Sequence, residues 1–249
     1  MGATARAFGI ARSLAMYYGI PFRAGRLRRF YAEFVSRGSL CFDVGAHAGN
    51  RVRCWRHLGA RVVAIEPQAD FVRILRYLYG RDPGVEIVPL AVGRSAGTAE
   101  LLVSERTPTV TTLSSEWVAG VQRDPRFAAV SWSRRERVEV VTLQSLIERY
   151  GEPAFVKVDV EGFEAEVLAG LTTPVHALSF EYLPATREIA LQCIDRLTAL
   201  GRYRYNWSLG ESHRLASEHW LDAAGMRAML EALPPLAPSG DVYAVRDSA

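Results

Sequence analysis

The stretch that decides the fold reads Ser39-Leu40-Cys41-Phe42-Asp43-Val44-Gly45-Ala46-His47-Ala48-Gly49-Asn50. It predicts a short apolar strand that ends near an acid, then a tight turn with two glycines, then a helix. Glycines suit such a turn because side chains would keep a ligand away from the backbone. The N–H groups at the start of the helix would then face the polar part of a nucleotide-like ligand.

The spacing of the glycines separates this turn from that of dinucleotide-binding enzymes. Its pattern is D-x-G-x-x-x-G rather than G-x-G-x-x-G, which disfavours a nicotinamide oxidoreductase. A second predicted strand, over residues 61–66, ends at Glu66, twenty-one residues after Gly45. Because an acid in this place is the expected partner of two ribose hydroxyls, the two features together predict a nucleotide-like cofactor.

Length and charge set limits on the function. The chain has 249 residues, enough for one sizeable core, and its net charge of +3 makes no case for nucleic acid. Residues 1–37, however, carry seven arginines against one acid, Glu33. Such a basic end suits an acidic partner, a membrane surface or nucleic acid, or is simply a solvated arm.

The N-terminal region is predicted to be helical. Residues 4–18 show an amphipathic pattern, and a second helix is expected over residues 25–37. Together they predict a helical cap over residues 1–38, with interfacial membrane contact or a homodimer interface as alternatives.

Cysteine usage and hydropathy indicate the compartment. Three cysteines without a C-x-x-C pair predict a reducing environment and no structural disulfide or zinc site. We read neither a membrane span nor a secretory signal, so the expected location is cytoplasmic.

Regular alternation of strands and helices follows residue 38. Strands are predicted at 39–44, 61–66, 85–90, 154–160, 177–182, 203–207 and 241–246. Helices are predicted at 50–58, 68–79, 142–150, 186–200 and 217–231, and one more follows Gly162 and ends at Gly170. The alternation predicts an α/β domain over residues 39–249 with a mostly parallel sheet and helices on both faces.

Residues 91–141 interrupt this alternation. Strands are predicted at 98–104 and 138–142, with an insertion at about 104–137 between them. Trp117, Phe127 and Trp132 favour an ordered insertion that covers the substrate, although the same aromatics could simply pack it onto the body.

The end of the predicted strand over 154–160 carries the sequence Lys157-Val158-Asp159-Val160-Glu161-Gly162. In an open parallel sheet, ligands bind beyond the carboxyl ends of the strands. Residues two apart on a strand share a face, so Asp159 and Glu161 are expected to converge on one ligand, where a carboxylate can act as general base. The alternative is that Asp159 caps the next helix and Glu161 interacts favourably with its dipole.

Three further residues are candidates for the same crevice. Glu181 ends the next strand, where it could bind substrate or join Asp159 and Glu161 around a hard cation. A required divalent metal is not favoured. His213 follows the turn Gly210-Glu211-Ser212 and could reach the crevice as a catalytic group, as could His47, although a lone histidine is more often structural.

Three motifs resemble those of the FkbM-type methyltransferases: Phe42–Gly49, Ile65-Glu66-Pro67, and Val156–Glu164 with Val167–Gly170. The resemblance covers about residues 39–183, with 241–245 as the closing strand. It implies a Rossmann-like class I methyltransferase fold, with a seven-stranded sheet and an antiparallel last strand. It also implies biosynthetic methyl transfer from S-adenosylmethionine to a hydroxyl of a small molecule, often a sugar, a glycolipid or a polyketide-derived natural product.

The resemblance also implies roles for individual residues. Gly45 and Gly49 would approach the methionine part of the cofactor, and Glu66 its ribose. The other cofactor-binding candidates are Asp43, Ala46, His47, Asn50, Pro67 and Ala91, with His47 standing where the family usually has Asn. Asp159 is the first choice for the general base and Glu161 the second, with His213 as a further catalytic candidate. Glu181 and Trp117 would contact the acceptor.

Two other functions stay open. A methyltransferase acting on RNA or another biopolymer would suit the basic N-terminal end, but the chain lacks the Asn/Asp-Pro-Pro-Tyr-type motif that nucleobase amino methylation would suggest. A non-catalytic Rossmann-like binding module is disfavoured because Glu66, Asp159 and Glu161 are all present.

Overall fold

The computed structural model describes residues 8–9, 11–13 and 23–247. The strands are β1 (Leu40–Val44), β2 (Arg61–Ile65), β3 (Val85–Val88), β4 (Ala91–Val92), β5 (Gly97–Val103), β6 (Arg134–Val141), β7 (Phe155–Val158), β8 (Ala177–Tyr182), β9 (Tyr203–Trp207) and β10 (Gly240–Arg246). The helices are α1 (Arg23–Tyr31), α2 (Asn50–His57), α3 (Ala69–Tyr79), α4 (Ser115–Val121), α5 (Leu143–Tyr150), α6 (Glu164–Ala169), α7 (Arg187–Leu200) and α8 (Ala223–Ala232).

The large sheet has seven strands in the order β3-β2-β1-β7-β8-β10-β9. Strands β3, β2, β1, β7 and β8 run parallel, and β10 runs antiparallel to both β8 and β9. This confirms the predicted Rossmann-like class I arrangement with its antiparallel last strand. The chain moves outward from β1 to β3 and returns at β7 on the other side of β1, so the order reverses between β1 and β7. Ligands bind at such a switch point.

Both faces of the sheet are covered, which explains why β1 and β7 are apolar apart from Asp43 and Lys157. Phe42 and Val156 pack in the core on one face, while Cys41, Trp55 and Phe155 pack on the other. All three cysteines are buried free thiols. None of the helices in the described residues is long and apolar enough to cross a membrane.

Helix α1 packs against the face of the sheet that α2 covers. Phe30 and Tyr31 are buried, with ring centroids 5.1 Å from Tyr243 and 5.4 Å from Trp55, respectively. The helix ends at Tyr31, earlier than predicted. Of the helix predicted over 4–18, residues 8–9 and 11–13 are helical and the others lie outside the described residues. The boundary of a separate cap at residue 38 stays a prediction.

A second sheet, in the order β4-β6-β5, forms where the alternation breaks. Its strands β5 and β6 are antiparallel, and β6 begins at Arg134, inside the predicted insertion. The aromatic side chains of the insertion pack on each other, with the ring centroid of Trp117 lying 5.5 Å from that of Phe127 and 6.0 Å from that of Trp132.

Two other element boundaries differ from the predictions for identifiable reasons. Strand β3 ends at Val88 because Pro89 has no N–H to continue the ladder. Helix α8 begins at Ala223, rather than near residue 217, because the Asp222 side chain caps it by accepting a 2.8 Å hydrogen bond from the Gly225 N–H.

Candidate active site

A cleft of about 970 Å³, counting the space open to solvent at its mouth, lies at the carboxyl ends of the central strands. The residues predicted from sequence that line it are Asp43, Gly45, Ala46, His47, Asn50, Glu66, Pro67, Ala91, Asp159, Glu161 and Glu181. The insertion contributes part of the wall through Thr109 and Thr111–Leu113. Gly49, Trp117 and His213 are not among the lining residues.

Gly45 stands where the turn after β1 passes the end of β7. Its φ is +84°, and a Cβ there would lie 1.9 Å from the carbonyl oxygen of Asp159. The N–H groups of Gly45 and Ala46 both donate to the carbonyl of Ile65, at 2.9 and 3.0 Å. Gly45 therefore lets the turn pass close to the end of β7, and its N–H is already bonded to the protein.

Gly49 has a different reason to be a glycine. Its φ is +80°, and a Cβ there would lie 2.8 Å from the Tyr79 ring and 2.9 Å from Leu75. The Tyr79 hydroxyl also donates to the Gly49 carbonyl, at 3.0 Å. Packing of the turn against α3 thus accounts for this glycine, and its predicted contact with the cofactor stays a prediction.

The carboxylate of Glu66 is buried and held by the backbone. Its Oε2 accepts from the N–H of His47 at 2.9 Å, and its Oε1 accepts from the N–H of Gln68 at 2.8 Å. Burial raises the pKa of Glu66 to about 7, against the opposing effect of these two bonds. Since each carboxylate oxygen can accept more than one hydrogen bond, both oxygens retain capacity for ligand hydroxyls.

Two other buried groups line the same end of the cleft. Asp43 is 1% exposed, and its Oδ2 has no hydrogen-bond partner among the described residues. Burial raises the pKa of Asp43 to about 7. The ring of His47 packs on Phe71, with centroids 3.6 Å apart, and burial lowers its pKa to about 3. His47 is therefore a neutral wall residue at physiological pH.

Three carboxylates converge at the other end of the cleft. Single carboxylate oxygens of Asp159, Glu161 and Glu181 all lie within 4.8 Å of one another. Burial raises the pKa of both Glu161 and Glu181, and the charges of the neighbouring carboxylates raise it further. These three side chains offer the oxygen ligands that a hard cation such as Mg²⁺ prefers.

The prediction that Asp159 and Glu161 converge because they share a strand face is wrong. Strand β7 ends at Val158, so Asp159 and Glu161 do not share a strand face. The loop instead turns back through Glu161 at φ +54° and Gly162 at φ +86°. Glu164 fixes this loop, because its Oε1 accepts from the N–H groups of Val160 and Gly162 at 3.1 and 3.3 Å. Burial raises the pKa of Glu164 to about 7.

Two cations beside the carboxylates were not assigned a role from the sequence. The Nζ of Lys157 is fully buried, 2.7 Å from Asp241 Oδ1 and 3.3 Å from Asp159 Oδ2. The guanidinium of Arg51 lies 4.0 Å from Asp159 Oδ2 and 3.6 Å from Glu211 Oε1. A lysine inside an apolar strand signals a buried acid partner. Arg51 gives no such signal, because arginines on amphipathic helices are ordinarily exposed.

The structure places Trp117 and His213 behind the cleft wall. Trp117 is buried against the loop, where a Cβ on Gly162 would lie 2.1 Å from its ring. His213 is buried next to Phe30, and its Nε2 lies 3.2 Å from Glu211 Oε2. Both side chains support residues of the site rather than line it.

Comparison with known proteins identifies similar sequences. The family model described as the methyltransferase FkbM domain matches residues 43–230. Hexuronic acid methyltransferase AglP of Haloferax volcanii is 28% identical over 154 residues, which cover 61% of this chain. The match spans only 58% of that relative's length.

Solved structures with similar folds are more distant in sequence. A TehB-like S-adenosylmethionine-dependent methyltransferase from Corynebacterium glutamicum is 11% identical, with a TM-score of 0.49, covering 98% of this chain and 99% of that one. An O-methyltransferase from Bacillus cereus, in complex with S-adenosylhomocysteine, is 13% identical, with a TM-score of 0.46, covering 98% and 89%.

Proposed function

The chain belongs to the FkbM family of S-adenosylmethionine-dependent methyltransferases, and from this premise we propose that it methylates a hydroxyl group of a sugar or glycoside. The observation that carries the proposal is the juxtaposition, in one cleft, of a ribose-type acid at one end and three converging carboxylates at the other. The name of the hexuronic acid methyltransferase relative supports a sugar acceptor.

The cofactor end of the cleft fits S-adenosylmethionine. Glu66 would present an oriented carboxylate to the two ribose hydroxyls, because backbone N–H groups fix both of its oxygens. Gly45 lets the turn after β1 pass close to the end of β7 in the same cleft. Asp43 supplies a buried oxygen that lacks a protein hydrogen bond among the described residues, and a ligand ammonium group would satisfy it. When bound, the cofactor supplies a methyl group on a positively charged sulfur, which an oxygen nucleophile takes by in-line displacement.

The residues of the chain have three tasks in this reaction. They must align the acceptor oxygen, exclude water, and accept the proton that the hydroxyl loses. Thr109 and Thr111–Leu113 of the insertion form one wall of the cleft and would help to exclude water.

We assign the proton acceptor to Glu161 and an orienting role to Asp159, reversing the order of preference drawn from the sequence. Asp159 lies between Lys157 and Arg51, whose charges already balance its own. Glu161 lies next to two other carboxylates, whose negative charges raise its pKa. Its ionised form is therefore a stronger base than an ordinary glutamate, because taking up a proton relieves this repulsion. In its ionised form, the Glu161 carboxylate would accept the hydroxyl proton while the acceptor oxygen takes the methyl group and the sulfur leaves with the bonding electron pair.

The first test is calorimetric binding of S-adenosylhomocysteine to the wild type, Glu66→Ala and Glu86→Ala. Glu86 is an exposed acid on β3 and provides a matched control. We expect micromolar binding by the wild type, unchanged binding by Glu86→Ala, and a loss of about 10- to 100-fold for Glu66→Ala, the value of a charge-assisted hydrogen bond. Failure of the folded wild type to bind would refute the cofactor assignment.

A second step identifies the acceptor and the base. Radiolabelled methyl transfer is measured on neutral hexosides, hexuronic acids and amino sugars, with and without EDTA. General-base catalysis is worth about 10²- to 10⁴-fold, so Glu161→Gln should lower kcat by that factor, while Asp159→Asn should lower it less. Abolition by EDTA would instead assign the three carboxylates to a divalent cation.

A further inference from the structure

A basic surface covers the helices on one side of the sheet. Helices α1, α2 and α3 all pack on the same hydrophobic cluster, so their outer sides lie on the same side of the molecule. We define the arginine face as the exposed side chains of Arg26, Arg28, Arg29, Arg37, Arg53, His57, Arg76 and Arg81.

Contacts between the helices make this surface continuous. A Cβ on Gly59, just after α2, would lie 3.0 Å from the side chain of Arg37. The charge of Arg28, on α1, is close enough to Cys54, on α2, to lower the pKa of that thiol against the larger effect of burial. Arg56 binds Asp82 at 2.8 Å and so ties α2 to the turn that follows α3.

The charge of this region differs from that of the rest of the chain. Residues 23–84 contain twelve arginines and five acids, a net charge of +7, whereas the whole chain carries +3. Two of the five acids, Asp43 and Glu66, are buried in the cleft. Asp70 and Asp82 are ion-paired with Arg73 on α3 and Arg56 on α2, respectively. A surface with this excess of one sign attracts polyanions.

Apolar side chains are exposed within the same surface. On α3, Tyr77 is 89% exposed and Leu78 is 45% exposed, both directly after Arg76. Tyrosine is enriched at the headgroup level of bilayers, and arginines next to it gain from anionic lipids.

The cleft argues against a nucleic acid as the polyanion. Its acceptor end carries Asp159, Glu161, Glu181 and Glu211, which would repel the phosphates of a polymer threaded to the reacting hydroxyl. A membrane surface would contact only the arginine face, so the carboxylates of the cleft would not oppose its binding.

We propose that the arginine face docks the protein on an anionic lipid bilayer as a peripheral contact. Helix α2 then links the two surfaces, since Asn50 and Arg51 at its start line the cleft while Arg53 and His57 belong to the arginine face.

The test is co-sedimentation of the full chain with vesicles. Vesicles of phosphatidylcholine alone are compared with vesicles containing about one third phosphatidylglycerol. The variants are Arg26→Gln/Arg29→Gln/Arg76→Gln and, as a matched control, Arg123→Gln/Arg137→Gln/Arg202→Gln, which removes three exposed arginines elsewhere. Calorimetric binding of S-adenosylhomocysteine verifies that each variant is folded.

We expect the wild type and the control variant to bind the anionic vesicles and not the zwitterionic ones. Each basic residue near an anionic surface is worth about fivefold in partitioning, so the face variant should bind about 100-fold more weakly. Raising the salt concentration should release the wild type. Equal loss in both variants, equal binding to both vesicle types, or displacement of the protein from vesicles by a single-stranded oligonucleotide at micromolar concentration would overturn the proposal.

Discussion

The two ends of the cleft hold their acids in different ways. At the end proposed to bind the cofactor, called the cofactor end, backbone N–H groups of His47 and Gln68 fix the Glu66 carboxylate. Both residues are close to it, in the turns that follow β1 and β2. At the acceptor end, Asp159 is held by the side chains of Lys157 and Arg51.

This difference has consequences for how each end responds to mutation. Backbone donors remain when neighbouring side chains change, so the cofactor end depends on turn geometry. Side-chain cations can be deleted singly, and Lys157 is also paired with Asp241, which lies 84 residues further along the chain. The acceptor end therefore depends on tertiary structure and should be the more sensitive to single charge deletions.

The largest expected effect tests this sensitivity. Lys157→Met removes a fully buried cation that pairs with both Asp241 and Asp159. Breaking a buried ion pair in this way costs about 3–5 kcal/mol, so the free energy of unfolding should fall by that amount in a urea titration.

Two control variants sharpen this measurement. Arg94→Met breaks an exposed pair with Glu166 and should cost less than about 1 kcal/mol. Adding Asp241→Asn to Lys157→Met removes one of the stranded charges and should recover part of the loss. Equal costs for Lys157→Met and Arg94→Met would show that the buried pair contributes no more than a surface one.

The same difference explains which parts of the site were predictable. The glycine turn and Glu66 form a local pattern, so the sequence predicted the switch point and the presence of both features in one cleft. Their contact with the cofactor stays a prediction. The approach of Asp159 to Glu161 was predicted from strand periodicity, yet it arises from positive φ angles in the loop at Glu161 and Gly162. The partnership of Arg51 with Asp159 and Glu211 depends on tertiary packing, which no local pattern encodes.

The two glycines of the turn after β1 should differ in their effect on cofactor binding. Both have positive φ, so Gly45→Ala and Gly49→Ala should each cost about 1–3 kcal/mol of stability. Only at Gly45 does the new Cβ meet backbone, the Asp159 carbonyl, whereas at Gly49 it meets side-chain atoms that can move.

The cofactor affinities should therefore separate the two variants. We expect S-adenosylhomocysteine binding, measured by calorimetry, to weaken by about tenfold or more in Gly45→Ala, or about 1.4 kcal/mol. Folded Gly49→Ala should bind within about threefold of the wild type, or within about 0.7 kcal/mol. A larger loss of affinity at Gly49 would place that residue against the cofactor after all.

The smallest effect concerns the pH dependence of stability at the cofactor end. Burial raises the pKa of Asp43 from 3.8 to about 7, so the folded state binds a proton that the unfolded state has released between these values. The contribution of Asp43 to stability is full below about pH 4 and is lost as the pH rises through about 7. Asp43→Asn cannot titrate, so between pH 5 and 7 its free energy of unfolding should fall less steeply than that of the wild type, by at most about 1.4 kcal/mol per pH unit.

Asp82→Asn is the matched control for this slope, because the bond from Arg56 lowers the pKa of Asp82. Its contribution is present above the unfolded pKa and disappears only as the pH falls through the still lower folded value, so its removal should leave the slope between pH 5 and 7 unchanged. Urea titrations of the three proteins at pH 5, 6 and 7 measure both slopes. Parallel curves for Asp43→Asn and the wild type would mean that Asp43 is ionised in the folded protein, and its buried oxygen would then need a cationic partner even before the cofactor binds.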